Sequence, residues 1–157
     1  MKLDSFDRRL LALVQQDSSR TAEVLSAVVP LSPSAIQRRL RRMKDEGVIV
    51  AETAVLDPRK VGRPTFFVVS VQVERERPEL LARLRAWLRD EELVQQAYYV
   101  TGEADFVLVM TAPSTEAFEA FMARMVAENT NVCRYTTNVV LGLVKRGLAL
   151  HIPTDAD

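Results

Sequence analysis

The chain reads as an α+β protein: a head of three short helices, then a β-α-β-β-α-β sandwich with two helices on one face of a sheet. Three observations predict this. Apolar residues recur at helical spacing to about Glu46, the pattern changes to β-branched and aromatic runs after Gly62-Arg63-Pro64, and amphipathic stretches separate those runs.

The elements follow in order. Asp4 is placed to cap a first helix from about Ser5 to Gln16, with Asp7 near its positive end and Phe6, Leu10, Leu13 and Val14 as its apolar stripe. Asp17-Ser18-Ser19 breaks it. Thr21 caps a short second helix to about Val28, with Val24, Leu25 and Val28 inward. Val29-Pro30-Leu31 is a connector, because proline disfavours helix before it. Ser32-Pro33 supplies a hydroxyl cap and a first-turn proline for a third helix, which runs to about Glu46 and stops at Gly47. Ile36, Leu40 and Met43 form its stripe, and Ser34, Gln37, Arg38 and Arg41 face away.

Val48 to Leu56 reads as a connecting strand or strand pair. Strands are expected at Phe66 to Val73, Val94 to Val100, Asp105 to Thr111 and Val132 to Leu141, with a further one at Leu143 to Ile152. Helices are expected at Pro78 to Arg89 and Ser114 to Ala127. That order describes a ferredoxin-like sandwich. The domains expected are a head over residues 1–50, a connecting strand or linker over 51–64, and the sandwich over 65–157.

Composition narrows the function. Hydrophobic residues make up 48% and charged residues 27%, against a mostly disordered or collagen-like chain. The apolar runs Phe66 to Val69 and Phe106 to Met110 are too short to span a bilayer, and the acidic start is unlike a signal peptide. Cys133 has no second cysteine to pair with, and one cysteine with one histidine, His151, cannot build the usual zinc site. No metal, cofactor or catalytic residue is expected, and the protein is expected in the cytoplasm. Cys133 reads as a small buried hydrophobe, Trp87 as core, His151 as a strand-end residue, and Met122 and Met125 as packing.

A net charge of zero hides an asymmetry. Residues 1–62 carry 11 Lys and Arg against 8 Asp and Glu, whereas residues 63–157 carry 10 against 13. Arg38, Arg39, Arg41, Arg42 and Lys44 fall within seven positions. Alone, such a run is a solvated helix face. Behind a capped helix start and a preceding turn it describes a helix-turn-helix, whose second helix enters the major groove. Ser32 and Ser34 let backbone approach, Gln37, Arg38 and Arg41 supply donors for base edges, and Arg39, Arg42 and Lys44 complete the DNA-contacting set, with Arg42 and Lys44 suited to phosphates.

These residues resemble the leucine-responsive/asparagine regulator family, Lrp/AsnC. The strings that carry the resemblance are Leu3-Asp4 with Asp7, Leu31-Ser32-Pro33-Ser34, Arg39-Leu40-Arg41-Arg42-Met43, Glu46-Gly47-Val48-Ile49 and Leu56-Asp57-Pro58 with Gly62. Further on come Val100-Thr101-Gly102-Glu103-Ala104-Asp105-Phe106, then Thr137, Val139-Val140-Leu141 and Val144-Lys145. The resemblance implies an N-terminal, winged helix-turn-helix and a C-terminal ligand-sensing domain that dimerises through its sheets, the dimers assembling to octamers. It also implies a small effector, commonly an amino acid, bound at contacts between dimers near the Gly-x-x-Asp turn. Carried over, the effector contacts are Thr101, Gly102, Glu103, Asp105 and Thr137, with Tyr99 beside them; Tyr98 and Tyr99 alternate faces of one strand. The chemistry suits the turn: Gly102 admits backbone amides to a carboxylate, and Asp105 can hold an ammonium. The alternative is an ordinary hairpin with Asp105 bonding backbone. Pro30, Ala35, Asn131-Val132 and Gly142-Leu143 depart from the family pattern.

The function expected is therefore a sequence-specific, DNA-binding transcriptional regulator of a prokaryotic, nucleoid-associated kind, tuned by a small effector. Its partners are double-stranded DNA, the effector and further copies of itself, with no membrane. The alternatives are a low-specificity architectural DNA binder and an Lrp-like decarboxylase, the latter disfavoured by the single histidine.

Overall fold

The computed structural model describes residues 2–154. The chain divides into two compact units. One runs up to Val55 and takes in the segment after Val144; the other is Leu56–Val144.

The head unit contains α1 (Ser5–Val14), α2 (Ala22–Ser26) and α3 (Pro33–Asp45). Each begins where the sequence offers an acceptor. Asp4 accepts from the Asp7 amide at 2.8 Å in a capping box, Thr21 accepts from Val24, and Ser32 accepts from Ala35. Gly47 ends the third helix with a φ of 70°, a left-handed conformation that a side chain disfavours. Leu10, Leu25, Val29, Ile36 and Met43 are fully buried where the three helices meet.

Expectations for this unit are corrected at its second helix and after its third. Val24 and Val28 are 57% and 48% exposed, and Leu25 and Val29 fill the core instead. The second helix ends at Ser26, so Val29 enters the core from the following turn. Among the described residues no strand follows α3 within this unit, so the head has no paired wing. Val48 to Leu56 forms no strand, and Val50 and Val55 are exposed.

The segment after Val144 is not the further strand expected at Leu143 to Ile152. It lies against α1 instead. The Gln15 amide donates from Nε2 to the Leu150 carbonyl at 2.7 Å, and its Oε1 accepts from the Leu150 amide at 2.9 Å. A side-chain amide thus replaces the ladder that a strand would have supplied. Ile152 packs on the helical core beside this clamp.

The second unit holds β1 (Thr65–Val73), α4 (Pro78–Asp90), β2 (Val94–Tyr99), β3 (Phe106–Ala112), α5 (Thr115–Glu128) and β4 (Val132–Val139). The sheet is antiparallel in the order β2-β3-β1-β4, consistent with the ferredoxin-like expectation. Phe67, Val69 and Val71 pair with Met110, Leu108 and Phe106, and all six are buried under the helices. Phe118 stacks on Phe67, with ring centroids 4.0 Å apart. The opposite face carries Val68, Ser70, Val107 and Val109, half-buried.

Asn131 clamps this sheet: its side chain exchanges hydrogen bonds with both backbone groups of Arg75, at 3.1 and 2.9 Å. Those bonds give the departure at Asn131-Val132 a structural role, joining the end of β1 to the start of β4. Trp87 packs on Phe121 and donates from Nε1 to Glu128 at 2.6 Å, so it is half-buried against the core with a satisfied polar edge rather than within it. Cys133 is exposed, correcting its expected burial. No helix of the described residues is long and apolar enough to cross a membrane.

Candidate nucleic-acid interface and effector turn

The geometry of α3 sorts its polar residues into two groups. Ser34, Gln37, Arg38 and Arg41 recur at intervals of three and four, so they share one helix face. All four are exposed, with the Ser32 and Ser34 hydroxyls 3.2 Å apart at its start. Arg38 and Arg41 form no ion pair with any described residue, so both guanidiniums remain available.

Arg39 and Arg42 are placed differently. Arg39 Nη1 donates to Asp4 at 2.7 Å and to Asp7 at 2.8 Å, and Arg42 Nη2 donates to the other Asp7 oxygen at 2.8 Å. Asp7 is 1% exposed. A buried carboxylate needs such partners, because an unpaired buried charge is costly. Arg39 also sits over the Phe6 ring, 5.7 Å from its centroid. These two arginines therefore fasten α3 to α1, within the set that sequence reasoning sends wholly to DNA. A signal is present in the sequence: Asp4 and Asp7 are three apart on one helix, as Arg39 and Arg42 are on the other. Lys44 pairs with Glu52 at 2.7 Å, but both are half-exposed, and a surface pair of this kind yields readily to a phosphate.

The Asp4 carboxyl is held below the ordinary aspartate value. Burial pushes it up, but the Asp7 amide and the Arg39 guanidinium outweigh that. A carboxylate with a depressed folded value stabilises the fold above its unfolded value and loses that contribution as pH falls through the folded one. The melting temperature of the head is therefore expected to drop as the pH falls below the ordinary aspartate range. Asp4→Asn should flatten that acid limb in circular dichroism melts; an unchanged limb contradicts the assignment.

The turn at Thr101 to Asp105 is pinned to the sheet. The Val100 amide donates to the Asp105 carbonyl at 2.9 Å, and the Asp105 amide donates to Val71 at 3.0 Å. The Asp105 carboxylate accepts from the Val73 amide at 2.7 Å, and the Gln72 side chain donates to the Glu103 carbonyl. Asp105 thus bonds backbone, as the hairpin alternative expects, though on the neighbouring strand. Thr101, Gly102 and Glu103 are exposed, and Gly102 has a φ of 122°. A Cβ there meets no neighbouring atom, so the barrier to substitution is conformational. Gly102→Val is expected to destabilise this unit by about 1–3 kcal/mol, read from denaturant midpoints.

Within one chain the expected effector residues are spread across the sheet. Thr137 is on β4 beside Val69, on the far side of β1 from β3. Its hydroxyl is buried without a hydrogen-bond partner among the described residues. Tyr99 is on β2, at the other end of the sheet order, its ring 5.1 Å from Phe106 and under Arg85. Sequence reasoning misses Arg85, because a lone arginine on an amphipathic helix carries no signal until the strand beside it is known.

Comparison with known proteins agrees with both units. Residues 3–44 match the AsnC-type helix-turn-helix domain, and residues 67–150 match the Lrp/AsnC ligand binding domain. The chain is 41% identical over 152 residues to an uncharacterized HTH-type transcriptional regulator, y4tD, of Sinorhizobium fredii, covering 97% of this chain and 90% of that one. It is 28% identical over 152 residues to the leucine-responsive regulatory protein of Salmonella typhimurium, covering 97% and 93%. A transcriptional regulator of Neisseria meningitidis, solved as a complex with L-methionine, superposes with a TM-score of 0.84 at 27% identity, covering 96% and 97%.

Proposed function

The chain belongs to the Lrp/AsnC family of transcriptional regulators, and from that premise we propose which residues read DNA and which respond to an effector. Ser34, Gln37, Arg38 and Arg41 enter the major groove, with Ser32 at the helix start. The observation that carries this is their shared exposed face, with both guanidiniums unpaired among the described residues. Arg39 and Arg42 set the pitch of that helix through Asp7, and Lys44 exchanges Glu52 for a phosphate.

The effector is an amino acid or a related metabolite. It lies at Thr101, Gly102, Glu103 and Asp105, with Thr137 and Tyr99 supplied by neighbouring copies. The separation of these residues within one chain supports a site that assembly completes. The half-buried Val68, Val107 and Val109 on the helix-free face support dimerisation through the sheets, and dimers associate further, up to an octamer. The protein acts in the cytoplasm, on the nucleoid. An effector shifts the assembly only by its differential affinity for the states it links.

The test is binding to the gene's own upstream duplex against a scrambled duplex, over a salt series, with and without L-methionine and a pool of the other amino acids. A tight, salt-dependent preference for the native duplex, altered by an amino acid, supports the reading. Equal binding to both duplexes favours the architectural alternative, and no binding at low salt contradicts the assigned face. Light scattering under the same conditions reports the assembly.

A further inference from the structure

A cavity of about 470 Å3 opens between α4 and β2, at the edge of the sheet. Its size is within the range of small-molecule sites. Buried Phe106 and Leu88 supply apolar lining, and Tyr99 leans on Phe106. Arg85 sits over the Tyr99 ring, 4.6 Å from its centroid, and Arg89 follows one helical turn later. Neither arginine forms an ion pair or hydrogen bond with a described residue. No carboxylate is among the residues that line the cavity, and Glu91, two residues beyond Arg89, is paired with Arg124 on α5 at 2.6 Å.

We infer that this cavity is a second binding site, for a small carboxylate with an aromatic body. A guanidinium held against a ring keeps its N–H edge free to fork onto a carboxylate. The second guanidinium, four residues on, adds charge on the same face. A bare inorganic anion leaves the Phe106 and Leu88 lining uncovered, and a cation is repelled. The site shares Tyr99 with the proposed effector set and is built without Thr101, Gly102, Glu103, Asp105 or Thr137.

The full chain is titrated calorimetrically with 3-phenylpropanoate, benzylamine and inorganic phosphate. The expected result is binding of 3-phenylpropanoate about tenfold or more tighter than either control. The expected weakening in the Arg85→Gln/Arg89→Gln variant is also about tenfold or more, at an unchanged melting temperature. Arg83→Gln, which removes a charge from α4 outside the cavity lining, should leave this binding intact. In NMR spectra of the unmodified chain, the Tyr99 and Phe106 ring resonances should shift with 3-phenylpropanoate and not with benzylamine, a readout independent of the variant's folding. Absence of binding at millimolar concentration, equal binding of phosphate, or an equal weakening in Arg83→Gln overturns the inference.

Discussion

Arg38→Ala combined with Arg41→Ala is expected to weaken binding to the native operator by about a hundredfold or more, because each good base or phosphate interaction is worth about 1–3 kcal/mol. If both side chains reach phosphates, the slope of log affinity against log salt should also become shallower, by about 0.9 for each phosphate no longer neutralised. If one forks onto guanine, discrimination between native and scrambled duplexes should collapse as well. Both side chains are exposed and form no ion pair with a described residue, so the melting temperature should hold. A double variant that binds as tightly as the parent contradicts the assignment of this face.

Asp7→Ala is expected to have the opposite signature. It removes two ion pairs and half of the capping box together. The expected loss is about 3 kcal/mol of head stability, at the lower end for breaking a buried pair because the freed arginines can reach water. Denaturant unfolding followed at the helical signal measures it. Arg39→Ala should cost less, since Asp7 keeps Arg42. DNA binding should fall in step with the folded fraction, and recover under conditions that restore folding. An Asp7→Ala protein with parental stability contradicts the tether.

Local chemistry explains why so much of this fold is legible in the sequence. Asp4, Thr21 and Ser32 each mark a helix start within one residue, because capping acts on the adjacent amides and needs no distant partner. The β-branched and aromatic run in Phe66 to Val73 declares a strand. What fails depends on distant neighbours. Val48 to Leu56 and Leu143 to Ile152 have strand-forming sequences, yet a strand needs another strand beside it, and neither segment joins a sheet among the described residues. The candidate site divides in the same way. The face of Ser34, Gln37, Arg38 and Arg41 follows from helical periodicity alone. The diversion of Arg39 and Arg42 to Asp7, and the pairing of Arg85 with Tyr99, require knowing which helix or strand lies opposite.

The two hydrogen bonds between Gln15 and Leu150 make the head a discontinuous domain, one whose second piece is translated after the whole intervening unit. A ribosome releases α1, α2 and α3 long before the segment that Gln15 holds. The head therefore completes itself only after the whole intervening unit has been synthesised. Cutting the polypeptide exposes the same dependence. A fragment ending at Val55 should melt below the head of the intact chain, and a synthetic peptide spanning residues 145–154 should restore part of that difference in trans. Gln15→Ala in the fragment should abolish the rescue, while leaving the isolated fragment's own melting temperature nearly unchanged.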